Sequence, residues 1–382
     1  MEWKDDDMSI LVVDDSRIVV RFASRVLSDM DLPIFTADNG RQALDRLREH
    51  AADLVITDLM MPEMDGFELI SRLRADERFQ DVHIIVLTAL DQVTDKIRAL
   101  ELGANDYSVK PLEAGELRAR VQAGIREIRL KKALKSALKA LDNELRMVGR
   151  LQQRLLPRGL PQGERVRSAV FYRPCSRAGG DYYDLFTDDR GRLFFTIADV
   201  SGHGASAAVL MGMVRALLKV LTPEGESAAR IVERLNGALL DNIGSDPEFV
   251  SFFLGLFHQD SMRLNFCSAG HGDMFLLGPG PGRVFRLPAG GTVLGFFQGA
   301  WEDAFLALEP GQCLVLYTDG LTEAVDSRER EFGRDRLEKL LTGWDPSRDP
   351  AELVDFIRAE VEAYAGGVEF ADDMTLFVIQ FR

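Results

Sequence analysis

Asp181, Asp184, Asp199, Asp319, Asp372 and Asp373 stand in four short blocks of the C-terminal two-thirds of the chain. The blocks are Gly179-Gly180-Asp181-Tyr182-Tyr183-Asp184, Asp199-Val200-Ser201-Gly202-His203-Gly204, Tyr317-Thr318-Asp319-Gly320 and Asp372-Asp373-Met374-Thr375. Each sets a carboxylate beside glycines or a turn, at the edge of an apolar run with β character. Dispersed aspartates of this kind suit a folded cluster of hard oxygen ligands, the coordination that Mg²⁺ or Mn²⁺ requires. Two such cations can share a carboxylate, hold a phosphoryl oxygen and lower the pKa of bound water. The pattern therefore predicts a metal-dependent hydrolase.

A second acidic set lies near the N-terminus. Apolar runs at 9–13, 53–58 and 83–88, with a fourth entering Lys110-Pro111, alternate with segments at 16–30, 40–50, 65–75 and 92–102 whose apolar residues recur at helical spacing. That alternation predicts a doubly wound parallel sheet over residues 8–123, whose functional groups collect beyond the carboxyl ends of its strands. The rule brings Asp14, Asp15, Asp58, Thr88 and Lys110 to one edge. An aspartate after a strand is by itself usually a turn or cap residue. Carboxylates gathered at one edge, with a lysine and a hydroxyl, fit a divalent cation and a phosphoryl group instead.

On Val12-Val13-Asp14-Asp15-Ser16, Asp58-Leu59-Met60-Met61-Pro62, Asp65-Gly66, Thr88-Ala89 and Val109-Lys110-Pro111 this segment resembles the receiver domain of two-component response regulators. The resemblance implies that Asp58 accepts a phosphoryl group from a sensor histidine kinase or phosphotransfer protein. It implies Mg²⁺ held by Asp14, Asp15, Asp58 and the Met60 carbonyl, with Thr88, Tyr107 and Lys110 as the switch residues.

Residues 124–157 hold nine Lys/Arg against three Asp/Glu and end at Pro157. Leu134, Leu138, Leu141, Leu145, Val148, Gln152 and Leu155 are spaced 4-3-4-3-4-3, a coiled-coil seam. A helical linker forming a parallel homodimer is expected, with Gln152 setting its register. A helix packed on its own domain with a solvated basic face is the plainer alternative.

From 158 to 382 longer β runs and grouped helices predict an α+β sandwich. The Gly/Pro-rich stretch 278–291 reads as a surface turn or flap. Ala178 to Asp184, Ile197 to Gly204, Tyr317 to Glu323 and Asp372 to Thr375 resemble the metal-dependent serine/threonine phosphatases of the type 2C superfamily, in the bacterial branch of SpoIIE and RsbU. That resemblance implies two Mn²⁺ or Mg²⁺ ions: Asp199 bridges them, the Val200 carbonyl binds one, Asp319 and Asp372 hold the other, and Asp181 contributes directly or through water. Asp199, Asp319, Asp372 and Asp181 are thus the expected catalytic set, with Asp184 and Asp373 in supporting or capping roles. Ser201 stands where eukaryotic relatives carry a histidine general acid, and no residue is assigned to that role. His203 and His271 read as structural.

The composition, 46% hydrophobic and 28% charged, is that of an ordinary globular protein, and the net charge of −15 disfavours nucleic-acid binding. Cys175, Cys267 and Cys313 lack metal-site spacing and fit a reducing cytoplasm. No secretory segment or membrane span is expected. The combined expectation is a cytoplasmic bacterial response regulator whose output is a phosphatase acting on a phosphorylated anti-sigma-factor antagonist. The alternative is a phosphorylation-controlled adaptor that binds its partner without hydrolysis.

Overall fold

The structure is a computed structural model that describes residues 8–89, 93–157, 159–188, 191–202, 204–222, 226–243, 248–287 and 290–382. Its chain divides into two compact units, one up to Lys139 and one from Ala140 to Arg382.

In the first unit the strands are β1 (Ile10–Val13), β2 (Ile34–Ala37), β3 (Leu54–Asp58), β4 (His83–Ala89) and β5 (Asp106–Lys110). They form one parallel sheet in the order β2-β1-β3-β4-β5. Helices α1 (Arg17–Leu27), α2 (Gly40–Glu49), α3 (Gly66–Ala75) and α4 (Val93–Glu101) alternate with them, the predicted doubly wound fold. Strand alternation splits the core in two: Leu11, Val13 and Val55 face α2 and α3, while Ile10, Val12 and Ile56 face the helices on the other side. Side-chain caps fix the starts of α2 and α3, with Asn39 accepting from Gln42 N at 2.9 Å and Asp65 from Glu68 N at 2.7 Å. The sequence reading missed β2, a four-residue edge strand that is buried only at Ala37 and so lacks a continuous apolar run.

Helix α5 runs without a break from Ala114 to Leu155. The expected boundary at 123/124 falls inside it, because Leu117, Val121, Ile125 and Ile128 form one buried stripe against the parallel sheet. Beyond that stripe Leu134, Leu138 and Leu141 are exposed. The expected role of Gln152 in dimer register is corrected. Its side chain is buried within the second unit, where its amide donates to the Gly179 carbonyl at 2.6 Å and accepts from the Gly179 N–H at 2.9 Å. Leu155 packs on the core of the same unit, so the end of the heptad pattern is an intradomain contact.

The second unit holds β6 (Val166–Arg173), β7 (Tyr182–Thr187), β8 (Leu193–Val200), α6 (Ala205–Leu221), α7 (Ala228–Ile243), β9 (Val250–His258), β10 (Arg263–Ala269), β11 (Met274–Leu277), β12 (Val284–Leu287), β13 (Ala304–Ala307), β14 (Cys313–Tyr317), α8 (Asp319–Thr322), α9 (Arg334–Thr342), α10 (Pro350–Ala365) and β15 (Met374–Phe381). Two antiparallel five-stranded sheets result, β13-β10-β9-β8-β7 and β12-β11-β14-β15-β6. On β14 and β15, Leu314, Leu316, Phe377 and Ile379 face the other sheet. Their neighbours Val315, Leu376 and Val378 face α9 and α10. With α6 and α7 packed on the first sheet, the result is the expected α+β sandwich. Residues 278–291 are more than a flap: they contain β12, which pairs with β11.

Candidate active site

The parallel sheet delivers its acidic residues as strand-end logic requires. One oxygen each from Asp14, Asp15 and Asp58 lies within 4.8 Å of the others. Lys110 Nζ is 2.8 Å from Asp14 Oδ2 and 3.0 Å from Asp58 Oδ2. Burial raises the Asp58 pKa, and Lys110 opposes that rise. For Lys110 burial works against the ammonium, but hydrogen bonds to Asp14 and Asp58 prevail and raise its pKa. Thr88 is buried on β4, and the exposed Met60 follows β3 by two residues. Tyr107 is half-buried, with Lys96 Nζ 5.2 Å and the Arg120 guanidinium 5.4 Å from its ring centroid. The pocket can bind a hard cation through its three carboxylates and receive added negative charge beside Lys110.

In the second unit the β14–β15 register sets Tyr317 against Leu376 and thus brings Thr318 beside Thr375. Both threonines serve Asp181, which is 1% exposed. Thr318 Oγ1 donates to Asp181 Oδ2 at 2.8 Å, and Thr375 Oγ1 donates to the same oxygen. Asp181 Oδ1 is buried without a hydrogen-bond partner, the condition of an atom shaped to bind something else. Burial, followed by the charge of Asp199, raises the Asp181 pKa well above the carboxylate range.

Asp199 occupies the end of β8. Burial and the charges of Asp319, Asp372, Asp373 and Glu323 push its pKa up to about 7. Asp319 is exposed at the start of α8, and Asp372 is half-buried just before β15. The Val200 carbonyl lies against Gly180, where an added Cβ would come within 2.7 Å of it. Carboxylates whose charges act together on Asp199 in this way are suited to a divalent cation, which would replace their mutual repulsion with attraction.

The loop carrying Asp181 is gripped from two sides. Asp373 accepts from Cys175 N at 2.8 Å and from the Gly180 N–H. Gln152 brackets Gly179 as described, and Gly149 lets α5 pass so close to the Arg177 carbonyl that a Cβ there would lie 1.8 Å from it. Asp373 is thus a loop clasp. Asp184 is drawn elsewhere, with Lys219 Nζ at 2.8 Å and the Tyr182 hydroxyl donating at 3.0 Å. His271 is buried, its Nδ1 lies 3.2 Å from Ser251 Oγ, and burial lowers its pKa to about 4. His203 lies outside the described residues. The sequence reading missed Thr318, Thr375 and Gln152 as positioning residues; the threonines were inside the quoted motifs, and only the strand register reveals their common target.

Comparison with known proteins agrees with both halves. The family model described as Stage II sporulation protein E (SpoIIE) matches residues 189–382, and that of the response regulator receiver domain matches residues 10–122. Protein IcfG of Synechocystis sp. is 29% identical over 263 residues, which cover 62% of this chain and 41% of IcfG. The other curated relatives are likewise spanned over about half their length. Among solved structures, the SiaA-PP2C domain of Pseudomonas aeruginosa superposes with a TM-score of 0.57 at 21% identity, over 64% of this chain and 99% of that one. The PP2C phosphatase domain of SpoIIE from Bacillus subtilis gives 0.50 at 19% identity, over 58% of this chain and 64% of that one. At those identities the likeness shows a shared fold. Among the described residues no helix is long and apolar enough to cross a membrane.

Proposed function

Because the chain belongs to the SpoIIE family and carries a response regulator receiver domain at residues 10–122, we propose that it is a two-metal protein serine/threonine phosphatase switched by phosphorylation of Asp58. The observation that carries the reading is Asp181: one buried oxygen is held by two threonine hydroxyls, and the other is without a partner beside Asp199. Asp199 and the Val200 carbonyl, Asp319, Asp372 and Asp181 are the residues that would hold two Mn²⁺ or Mg²⁺ ions. When bound, those ions offset the carboxylate charge, polarise the phosphoryl group and lower the pKa of water at the site. Thr318 and Thr375 fix the rotamer of Asp181, and Asp373 holds the loop that carries it.

In the receiver, Asp58 Oδ attacks the phosphorus of a phosphohistidine on a kinase or phosphotransfer protein, and the P–N bond breaks as the acyl P–O bond forms. Lys110 balances the added charge, Thr88 and Tyr107 respond to it, and Asp14, Asp15, Asp58 and the Met60 carbonyl are the groups that would hold Mg²⁺. The signal acts through α5, because its last turns bracket Gly179, two residues from Asp181. The exposed Leu134, Leu138 and Leu141 support a homodimer along the middle of α5. Leu138→Asp with Leu141→Asp should halve the mass measured by light scattering; an unchanged mass would remove the dimer.

The substrate that suits the family is a phosphorylated anti-sigma-factor antagonist in a partner-switching pathway. The test is Mn²⁺-dependent hydrolysis of an aryl phosphate and of a phosphoserine protein, with and without beryllofluoride as the mimic of phosphorylated Asp58. Turnover that requires Mn²⁺ and changes with beryllofluoride supports a switched phosphatase. Partner binding without turnover on either substrate would replace it with the adaptor.

A further inference from the structure

The cavity beside Asp199 and Asp319, about 260 Å³ in volume, is not uniformly acidic. Its wall runs past Thr322 and Glu323 to Arg334, the one arginine or lysine that lines it among the described residues. A more open depression of about 440 Å³ shares Thr322, Glu323 and Arg334 and continues past Glu331 to Asp335 and Arg336. A groove therefore leads outward from the carboxylates, and Arg334 stands at the junction of its deep and open parts.

Arg334 is held in place there without being used up. Its Nη1 donates to Asp273 Oδ2 at 2.8 Å, and Arg286 Nε donates to the same oxygen at 2.7 Å. The one buried Asp273 carboxylate is shared by two guanidiniums, while Glu338 acts on Arg286 and Glu323 on Arg334 from nearby. The Arg334 side chain is 53% exposed, so much of its donor fork faces the groove. Arg336, further out, is already engaged, with its guanidinium 4.0 Å from the Tyr364 ring centroid.

We propose that Arg334 is a specificity-determining residue of the hydrolytic site and takes the carboxylate of an aspartate or glutamate close in sequence to the substrate's phosphoserine or phosphothreonine. The inference rests on the phosphatase reading and adds the sequence character of the substrate. A guanidinium presents a planar fork that matches a carboxylate. The chain carries a net charge of −15, so an acidic phosphopeptide is repelled over most of its surface. A fixed arginine beside the metal-binding carboxylates supplies the local attraction that sets orientation and register.

The experiment compares kcat/KM for two phosphopeptides that differ only in carrying glutamate or glutamine at the residues flanking the phosphoserine. The full chain is used with Mn²⁺, as wild type, Arg334→Gln and Arg334→Glu. Wild type should favour the glutamate peptide by about 10-fold or more, mainly through KM. Arg334→Gln should erase that preference, and Arg334→Glu should reverse it in favour of the glutamine peptide. The reversal is a gain that a merely unstable variant cannot produce. Wild type without a preference, an unchanged preference in Arg334→Gln, or an equal loss on both peptides in both variants would each overturn the assignment while leaving the phosphatase intact. Absence of wild-type turnover on every phosphopeptide and on the aryl phosphate would overturn the phosphatase reading and this inference with it.

Discussion

The two acidic sites handle buried charge in opposite ways. In the receiver, Lys110 lies within 3.0 Å of both Asp14 and Asp58, so part of the compensating charge belongs to the protein itself. In the sandwich, the named neighbours of Asp199 are all carboxylates that raise its pKa, and Asp181 is held by neutral hydroxyls. The histidines repeat the contrast. His83, buried in the receiver, has Glu127 at 3.5 Å opposing the effect of burial, whereas His271 in the sandwich has only the Tyr317 backbone on that side. The receiver pocket thus sets one cation of its own against the carboxylates of Asp14, Asp15 and Asp58, whereas the groups that act on Asp199 are acidic.

The largest expected effects break the comparison at its centre. Asp319 is exposed, so Asp319→Asn should fold normally yet lower kcat by about 10³-fold or more, because it removes a charge that a divalent cation needs. Asp58→Asn should retain Mn²⁺-dependent turnover and lose the response to beryllofluoride. Steady-state kinetics with an aryl phosphate reads both. Substantial metal-dependent turnover in Asp319→Asn would dismiss that residue as a ligand, and a beryllofluoride response in Asp58→Asn would move the switch elsewhere.

The next effects concern how the sandwich site is held. Gln152→Ala removes both hydrogen bonds to Gly179 and leaves a buried N–H and carbonyl unpaired, a loss of about 2–4 kcal/mol. Since Gly179 lies two residues before Asp181, Mn²⁺ affinity should fall by about 10- to 100-fold, as it does when groups supporting a ligand are removed. Thr375→Val should act in the same direction and less strongly, because Thr318 still donates to Asp181. Calorimetric Mn²⁺ titration of the full chain measures each. Wild-type affinity in Gln152→Ala would show that α5 does not govern the metal site.

These residues also mark how far the sequence could be read. Asp14, Asp15, Asp58 and Lys110 were legible because a parallel sheet sends every strand end to one edge, so order along the chain already implies proximity. The sandwich aspartates were legible as motifs, but their support was not. Whether Thr318 faces Thr375 depends on a strand register that no local pattern fixes. Gln152 was misread for a related reason: a 3.5-residue heptad and a 3.6-residue amphipathic stripe coincide over a few turns, so spacing alone cannot separate a partner helix from the chain's own domain. The strand β12 escaped because glycines and prolines surround its four half-exposed or exposed residues. Residues 278–291 therefore looked like turn from end to end.

The smallest effect sharpens the contrast between the two histidines. In the folded chain burial lowers the His271 pKa from its ordinary 6.5 to about 4, so between those values the unfolded chain binds a proton that the folded one refuses. The stability this histidine contributes is fully present above pH 6.5 and declines as pH falls toward 4. By pH 5 the decline amounts to about 2 kcal/mol for this group alone. His83 shifts in the same direction, but Glu127 and Asp106 favour its charged form. Asp181 and Asp199 act in the opposite sense, because their raised pKa values let protonation stabilise the folded sandwich as the pH falls. The His271 contribution is therefore read from a variant: urea unfolding at pH 7.5 and pH 5, with hydrogen exchange to resolve the two units, compares wild type with His271→Gln. The variant should lose less stability than wild type in the sandwich, by about 2 kcal/mol, and the receiver should not change. An unaltered acid response in His271→Gln would mean that the burial of His271 does not weaken the sandwich in acid.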